Sequence, residues 1–221
     1  MTDPVLGNFT AAVFDLDGTL FDSMPFWNHI DEWFLGEMGI NEVPEDYLLD
    51  IAHLGAEETA IYTKKRFSLD IEPEEMMAMW QSKAREFYRS EVTLKPGAAE
   101  YLKKLRDSGV KLAVATASSE DLFIPGMKHT GIDGFFSAAA SVGECERKKG
   151  FPDVYRLACT RLGVPDSEAV VFEDIYMAVK GAKDGGFRTV GVYDVTSARD
   201  AERIKAAADL FIRDFTELVQ R

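Results

Sequence analysis

The segment AAVFDLDGTLFDS, from Ala11 to Ser23, constrains the fold of this chain more than any other stretch. Ala11 to Phe14 reads as a short apolar strand that runs straight into Asp15-Leu16-Asp17-Gly18-Thr19. Side chains alternate along a strand, so Asp15 and Asp17 start out on one side of the backbone. Two like charges so close repel, and a cation or a shared proton must compensate them. Such a strand is poor material for a closed core. It points to a charged site at the carboxyl end of a sheet strand, where open α/β folds keep their ligands.

The rest of the chain has two textures. From about Lys95 onward, short apolar runs alternate with amphipathic ones. KPGAAEYLKKLRDSG predicts a helix with Pro96 near its start and Gly109 at its end. KLAVAT predicts a buried strand ending at Thr116, followed by a helix from Ser119 to His129 and a weak strand at SAAAS. PDVYRLACTRLG predicts a helix stopped by Gly163, EAVVFED a buried strand, AVKGAKDGG a helix and RTVGVY another strand. SARDAERIKAAA, DLFI and a short terminal helix close the pattern. This alternation implies a Rossmann-like α/β core, a three-layer arrangement with a parallel sheet covered on both faces.

The stretch from about Asp22 to Leu94 carries all three tryptophans (Trp27, Trp33, Trp80), most of the methionines and no convincing strand. Its apolar residues recur at helical spacing, as in Phe26, Ile30, Trp33, Phe34 and Met38. The expected organisation is therefore a core of residues 1–21 and 95–221, with residues 22–94 as an inserted all-helical cap. An insert at that point leaves the chain at the sheet's carboxyl edge, where it can act as a lid.

Composition narrows the function classes. The net charge of −13 comes with no basic stripe, which argues against a nucleic-acid partner and against adhesion to anionic membranes. No run approaches the ~20 apolar residues that span a bilayer. The first ten residues lack a basic stretch followed by an apolar one, so a signal peptide is not expected. Cys145 and Cys159 belong to no CxxC or Cys/His cluster, so neither a zinc site nor a disulfide framework is expected. A cytoplasmic chain acting on a small ligand is the expectation.

Four places offer chemistry. At the first, Asp15 is a natural nucleophile toward phosphorus, giving an aspartyl-phosphate, and Asp17 a general acid and base. Gly18 lets the chain turn away from the strand, and Thr19 can hold that loop. The alternative is a calcium-type loop or a plain turn, but EF-hand spacing is not met. The second is Thr116 with the backbone N–H groups of Ala117 and its neighbours, an anion site at a strand-to-helix junction. Ser118 or Ser119 there can equally serve as a helix cap. The third is Lys149, in the basic triplet Arg147-Lys148-Lys149, a point charge for phosphate. The fourth is Glu173-Asp174 at the end of a second buried strand. With Asp15 these acids offer only hard oxygen donors, which suit Mg2+.

DLDGTLFDS, Thr116, Lys149 and Glu173-Asp174, in this order, resemble the four motifs of the haloacid dehalogenase superfamily of phosphohydrolases. VFEDIYMAVKGAKDGGFRTVGV is similar to that family's pattern around its fourth motif, and the match runs from about Phe9 to Leu218. The helical insert after the first motif resembles the cap of the subgroup containing β-phosphoglucomutase and many small phosphatases. The resemblance implies that Asp15 is nucleophile and Mg2+ ligand, and that Asp17 is the acid/base with its backbone carbonyl on the metal. Thr116, Ala117 and Lys149 would hold phosphoryl oxygens, and Asp174 with Glu173 would complete the metal site. Counting back from Pro152-Asp153 selects Lys149 as the motif lysine, with Lys148 as the alternative.

Three departures from the family pattern carry information. Gly150 and Phe151 interrupt the usual KPxPD, and Ile175 stands where a serine is common. Where sugar-phosphate mutases of this subgroup carry an arginine that grips a second phosphate, this chain reads HLGAEETA, with Glu57 and Glu58. Their cap histidine also has no match; Trp27 occupies that position and His29 lies two further on. An acidic turn repels a second phosphate. The expected function is a Mg2+-dependent phosphatase acting on a small phosphorylated metabolite. The alternatives are a phosphosugar mutase and a catalytically silent binding protein on the same fold. His29, His53 and Lys83 are the cap side chains with chemistry to offer a ligand.

Overall fold

The structure, a computed structural model, describes residues 2–51 and 54–221; His53 lies outside the described residues. The chain forms two compact units, Met1–Met24 with Val92–Arg221, and Pro25–Glu91.

The smaller unit is built from α1 (Met24–Glu37, entering from its first residue), α2 (Glu45–Ile51), α3 (Ala56–Phe67) and α4 (Pro73–Ser90). Pro73 opens α4 at the one helical turn where a missing N–H costs nothing. Met76, Trp80, Ala84 and Tyr88 then recur every four residues and are buried, a single apolar stripe. Phe34, Tyr47 and Ala60 are fully buried in the same cluster as Met76, and Phe34 meets Trp80 edge-on at 5.6 Å. Trp27, Trp33 and Trp80 all belong to this cluster, so the aromatic content of the segment is core. Lys83 pairs with Glu86 and lies over the Trp33 ring, and His29 is exposed.

The larger unit begins with a short antiparallel pair, β1 (Thr2–Asp3) and β2 (Gly7–Asn8), which the sequence pattern did not anticipate. Two-residue strands show no periodicity; here the Asp3 carboxylate accepts the N–H groups of Val5 and Leu6 and closes the turn. The main sheet has six strands: β3 (Ala11–Phe14), β4 (Lys111–Thr116), β5 (Ala138–Ser141), β6 (Ala169–Glu173), β7 (Arg188–Val192) and β8 (Leu210–Ile212). Every pairing is parallel, in the order β5-β4-β3-β6-β7-β8. Its helices are α5 (Ala98–Asp107), α6 (Glu120–His129), α7 (Asp153–Leu162), α8 (Tyr176–Asp184), α9 (Ala201–Ala207) and α10 (Thr216–Val219).

Alternation along β3 and β6 sorts the core into two layers. Ala11, Val13, Ala169 and Val171 pack with Tyr155, Ala158, Cys159 and Leu162 of α7. On the opposite face Phe14 stacks on Phe172 at 4.3 Å, and Tyr101 of α5 and Phe215 complete an aromatic cluster. Burial on both faces is why β3 and β6 read as unbroken apolar runs. The expected three-layer α/β fold is the fold observed. Among the described residues no helix is long and apolar enough to cross a membrane.

Candidate active site

β3 and β6 are adjacent, with Phe14 opposite Phe172. The ladder continues one residue further, the Asp15 N–H donating to the Phe172 carbonyl at 3.0 Å, so the register sets Asp15 beside Glu173. Glu173 shares the alternation of Ala169 and Val171 and faces α7. Asp174, next in the chain, belongs to the other side. Asp15, Glu173 and Asp174 are all buried and offer oxygens that lie within 4.8 Å of one another.

Lys149 supplies the one ammonium in this cluster. Its Nζ is bonded to Asp15 Oδ1 and lies 2.7 Å from Glu173 Oε1. A close backbone approach brings it there: a Cβ on Gly181 of α8 would stand 2.6 Å from the Gly150 carbonyl carbon. Only glycine lets α8 lie against the backbone of residues 149–150. The other members of the basic triplet point elsewhere. Lys148 is exposed, and Arg147 pairs with Asp153 at 2.9 Å and covers the Phe151 ring.

β3 ends at Phe14 with one further ladder bond from Asp15, so strand alternation does not set the direction of Asp17, which still lies close enough to act on the Asp15 carboxyl. The N–H groups of Leu20 and Phe21 fold back to the Leu16 carbonyl, and Gly18 donates to Phe21. This turn directs the Asp17 carboxylate to Ser23 and Ser118, whose hydroxyls donate to its two oxygens at 2.7 and 2.6 Å. Gly18 adopts φ +82°, and a Cβ there would come within 2.4 Å of Asp174 Oδ2. Glycine is required on both counts. Thr19, fully buried, donates to Asp174 Oδ1 at 3.0 Å.

Thr116 ends β4, fully buried, and its Oγ1 accepts the Ser118 N–H at 3.0 Å. An acceptor role leaves its own proton to donate. Ala117 is exposed in the turn that follows, and Ser119 is the residue that starts α6, with its hydroxyl turned to Asp121.

Electrostatics follow from three carboxylates around one ammonium. Burial pushes the Asp15 carboxyl well above its usual range; Lys149 opposes this, and Glu173, Asp174 and Asp17 reinforce it. Burial and then Glu173 push Asp174 up to about 7, against the bond from Thr19. Burial works against the charge of Lys149, but the carboxylates of Asp15 and Glu173 overrule it and hold the ammonium above its usual range. The cluster is short of positive charge. Glu173 Oε2 is buried with no hydrogen-bond partner, a lone pair left over in a set of hard oxygens. These residues fit a Mg2+ ion.

Three features escaped the sequence reading. Tyr155 donates to Glu173 Oε1 at 2.8 Å. Ser23 and Ser118 together hold Asp17. Lys95 and Asp194 form a buried ion pair at 2.6 Å, and the Lys95 N–H binds the Leu20 carbonyl at 2.8 Å. Burial works against the charge of Asp194, but bonds from Lys95 and Thr196 hold its carboxyl below the usual range. The only sequence signal for these residues is a polar group on an otherwise apolar face, which ordinary capping explains equally well.

The profile of the haloacid dehalogenase-like hydrolases matches residues 12–192. The chain belongs to that family. It is 30% identical over 190 residues to the pyrophosphatase PpaX of Bacillus velezensis, covering 83% of this chain and 82% of that one. It is 29% identical over 200 residues to a probable pseudouridine-5'-phosphatase of Drosophila melanogaster, covering 88% and 86%. Among solved structures, a putative β-phosphoglucomutase from Thermotoga maritima superposes with a TM-score of 0.83 at 23% identity, over 95% of this chain and 96% of that one. That last likeness is one of fold. Membership of this hydrolase family, with relatives of this kind, places the chain among its phosphatases.

Proposed function

We propose that this chain is a Mg2+-dependent phosphatase that hydrolyses a small phosphorylated metabolite in the cytoplasm through an aspartyl-phosphate on Asp15. The observation that carries this reading is the buried group of Asp15, Glu173 and Asp174 around Lys149 at two adjacent strand ends. An Asp15 oxygen attacks phosphorus in line with the departing ester oxygen, and the bond from phosphorus to that oxygen breaks. Asp17, held by Ser23 and Ser118, gives the leaving oxygen its proton. Water then attacks the same phosphorus, Asp17 takes its proton, and the bond to Asp15 breaks to release inorganic phosphate. Lys149, the Thr116 hydroxyl and the Ala117 N–H hold the phosphoryl oxygens. Asp15, Asp174 and Glu173, with the Asp17 main-chain carbonyl, would hold Mg2+. When bound, the ion neutralises charge on the phosphoryl group and orients it.

One curated relative is named a pyrophosphatase and the other a probable pseudouridine-5'-phosphatase, which supports a small phosphorylated substrate. The first turn of α3 presents Glu57 and Glu58, both exposed, and the one arginine of α3, Arg66, pairs with Asp46. The absence of an arginine from HLGAEETA, where sugar-phosphate mutases of this subgroup carry one, supports water as the acceptor over a second sugar phosphate.

The test is release of inorganic phosphate from a panel of phosphorylated metabolites. Release is expected with Mg2+, is lost on EDTA treatment and returns on adding Mg2+ back. Silence of the whole panel with Mg2+ present overturns the reading. β-Glucose 1-phosphate with a trace of its bisphosphate belongs in the panel, since glucose 6-phosphate forming faster than free phosphate would make the chain a mutase.

A further inference from the structure

The Lys149 ammonium has two carboxylate neighbours, and what fixes it between them lies outside the motif residues. Glu173 Oε1 accepts from Lys149 Nζ at 2.7 Å and from the Tyr155 hydroxyl at 2.8 Å, while Oε2 is buried without a partner. Tyr155 sits in the first turns of α7, four residues beyond Phe151, and is fully buried. Its ring meets Phe187 at 6.0 Å and is enclosed by the cluster that seats α7 on the sheet. Such a ring has nowhere to move. Its hydroxyl, at the end of a rigid side chain, reaches one atom of the site.

Resting on the phosphatase reading above, we infer that Tyr155 is a positioning residue for Lys149, acting through Glu173. The hydroxyl takes up part of the demand of the Glu173 carboxylate. The ammonium is then shared with Asp15 rather than drawn wholly to Glu173, and it stays within reach of a phosphoryl group on Asp15. Without the hydroxyl, the buried carboxylate loses a donor. Lys149, 2.7 Å away, is then pulled toward it, because a buried acceptor left short of donors draws on the partners that remain. The phosphoryl oxygens lose that hold on the lysine. No proton transfer and no contact with substrate is assigned to Tyr155.

The variant Tyr155→Phe removes only the hydroxyl and keeps the buried ring. Two readouts are needed: kcat and KM for p-nitrophenyl phosphate with Mg2+, and the Kd for inorganic phosphate with Mg2+ by calorimetry. The phosphate Kd is expected to rise about tenfold and kcat/KM to fall about tenfold, the size of one lost hydrogen bond to a charged group. Leu162→Ala, on the same helix and in the same cluster, serves as the packing control. It should lower Tm more than Tyr155→Phe does while moving the phosphate Kd less than twofold. In a Glu173→Gln background, Tyr155→Phe should change Kd less than twofold, because the hydroxyl acts only through the carboxylate. An unchanged Kd in Tyr155→Phe, or an equal effect in both backgrounds, overturns the inference while an active wild type leaves the phosphatase reading standing. A wild type that neither turns over nor binds phosphate removes both.

Discussion

The two units bury different kinds of polar group, and the contrast marks where chemistry is held. In the helical unit, among the described residues, the polar groups of buried side chains are neutral, among them the Thr59 and Thr63 hydroxyls, the Tyr47 hydroxyl and the indole N–H of Trp80. Thr63 donates to the Thr59 carbonyl at 2.7 Å and bonds Tyr47 at 2.9 Å, while Thr59 lies within the same helix. In the sheet unit, Asp15, Lys95, Glu173, Asp174 and Asp194 are all buried. Neutral hydroxyls satisfied locally are inexpensive, whereas a buried charge is costly even when paired. Asp3 is buried as well, but its carboxylate closes the β1-β2 turn; a sheet of alanine, valine and phenylalanine this well packed has no need of the other five for its stability. The charges gathered around Asp15 and Asp174 signal function, and the locally satisfied hydroxyls of the helical unit signal packing.

The largest effect is expected at Asp15. Asp15→Asn is expected to lower turnover on the order of a thousandfold or more, with a Tm within a few degrees of the parent, because the change relieves crowding among three carboxylates. Turnover near the parent value, measured against any active substrate, removes Asp15 as nucleophile. The helical unit should respond in the opposite currency. Phe34→Ala, which empties a fully buried site against Trp80, is expected to cost about 3–5 kcal/mol in denaturant unfolding. A loss below about 1 kcal/mol would mean that this core is not what holds the unit together.

The smallest effect concerns Asp31, an acid of the helical unit whose carboxyl is displaced. Burial raises Asp31 from 3.8 to about 6, against a hydrogen bond from Tyr47. The folded state therefore binds this proton more tightly than the unfolded chain. Its contribution to stability is fully present below about pH 4 and is lost as pH rises through about 6. Asp31→Asn should flatten the fall in Tm across that window by a few degrees, leaving Tm near the parent value at pH 4. An unchanged slope between pH 4 and 6.5 would place Asp31 in water.

Much of the site was legible because its residues sit where strands end. A strand shows its end in sequence by the switch from apolar to charged, so Asp15 and Glu173-Asp174 stood out against Ala11–Phe14 and Ala169–Phe172. The lysine did not end a strand, and spacing left Lys148 and Lys149 as alternatives. Burial separates them, since Lys148 is exposed and Lys149 touches two carboxylates. The direction of Asp17 was illegible for a related reason. Alternation holds only while the backbone stays extended, and the turn closed on Leu16 redirects the chain after Asp15.

From sequence alone came the alternation of strands and helices, the helical character of the insert, and the identity of the acids at the strand ends. These are local properties, written in periodicity and in abrupt changes of polarity. The partners came from tertiary structure: Tyr155 under Glu173, Ser23 and Ser118 on Asp17, Thr19 on Asp174, and Lys95 with Asp194. Each joins residues through strand order, register or helix packing, and hydrogen-bond geometry over 2.6–3.0 Å is set only when those elements meet. The two aspartates that constrained the fold thus end with different partners, Asp15 beside carboxylates and a lysine, Asp17 on two serine hydroxyls. A pattern of residue types has no means of encoding those partners, because they depend on where the chain turns.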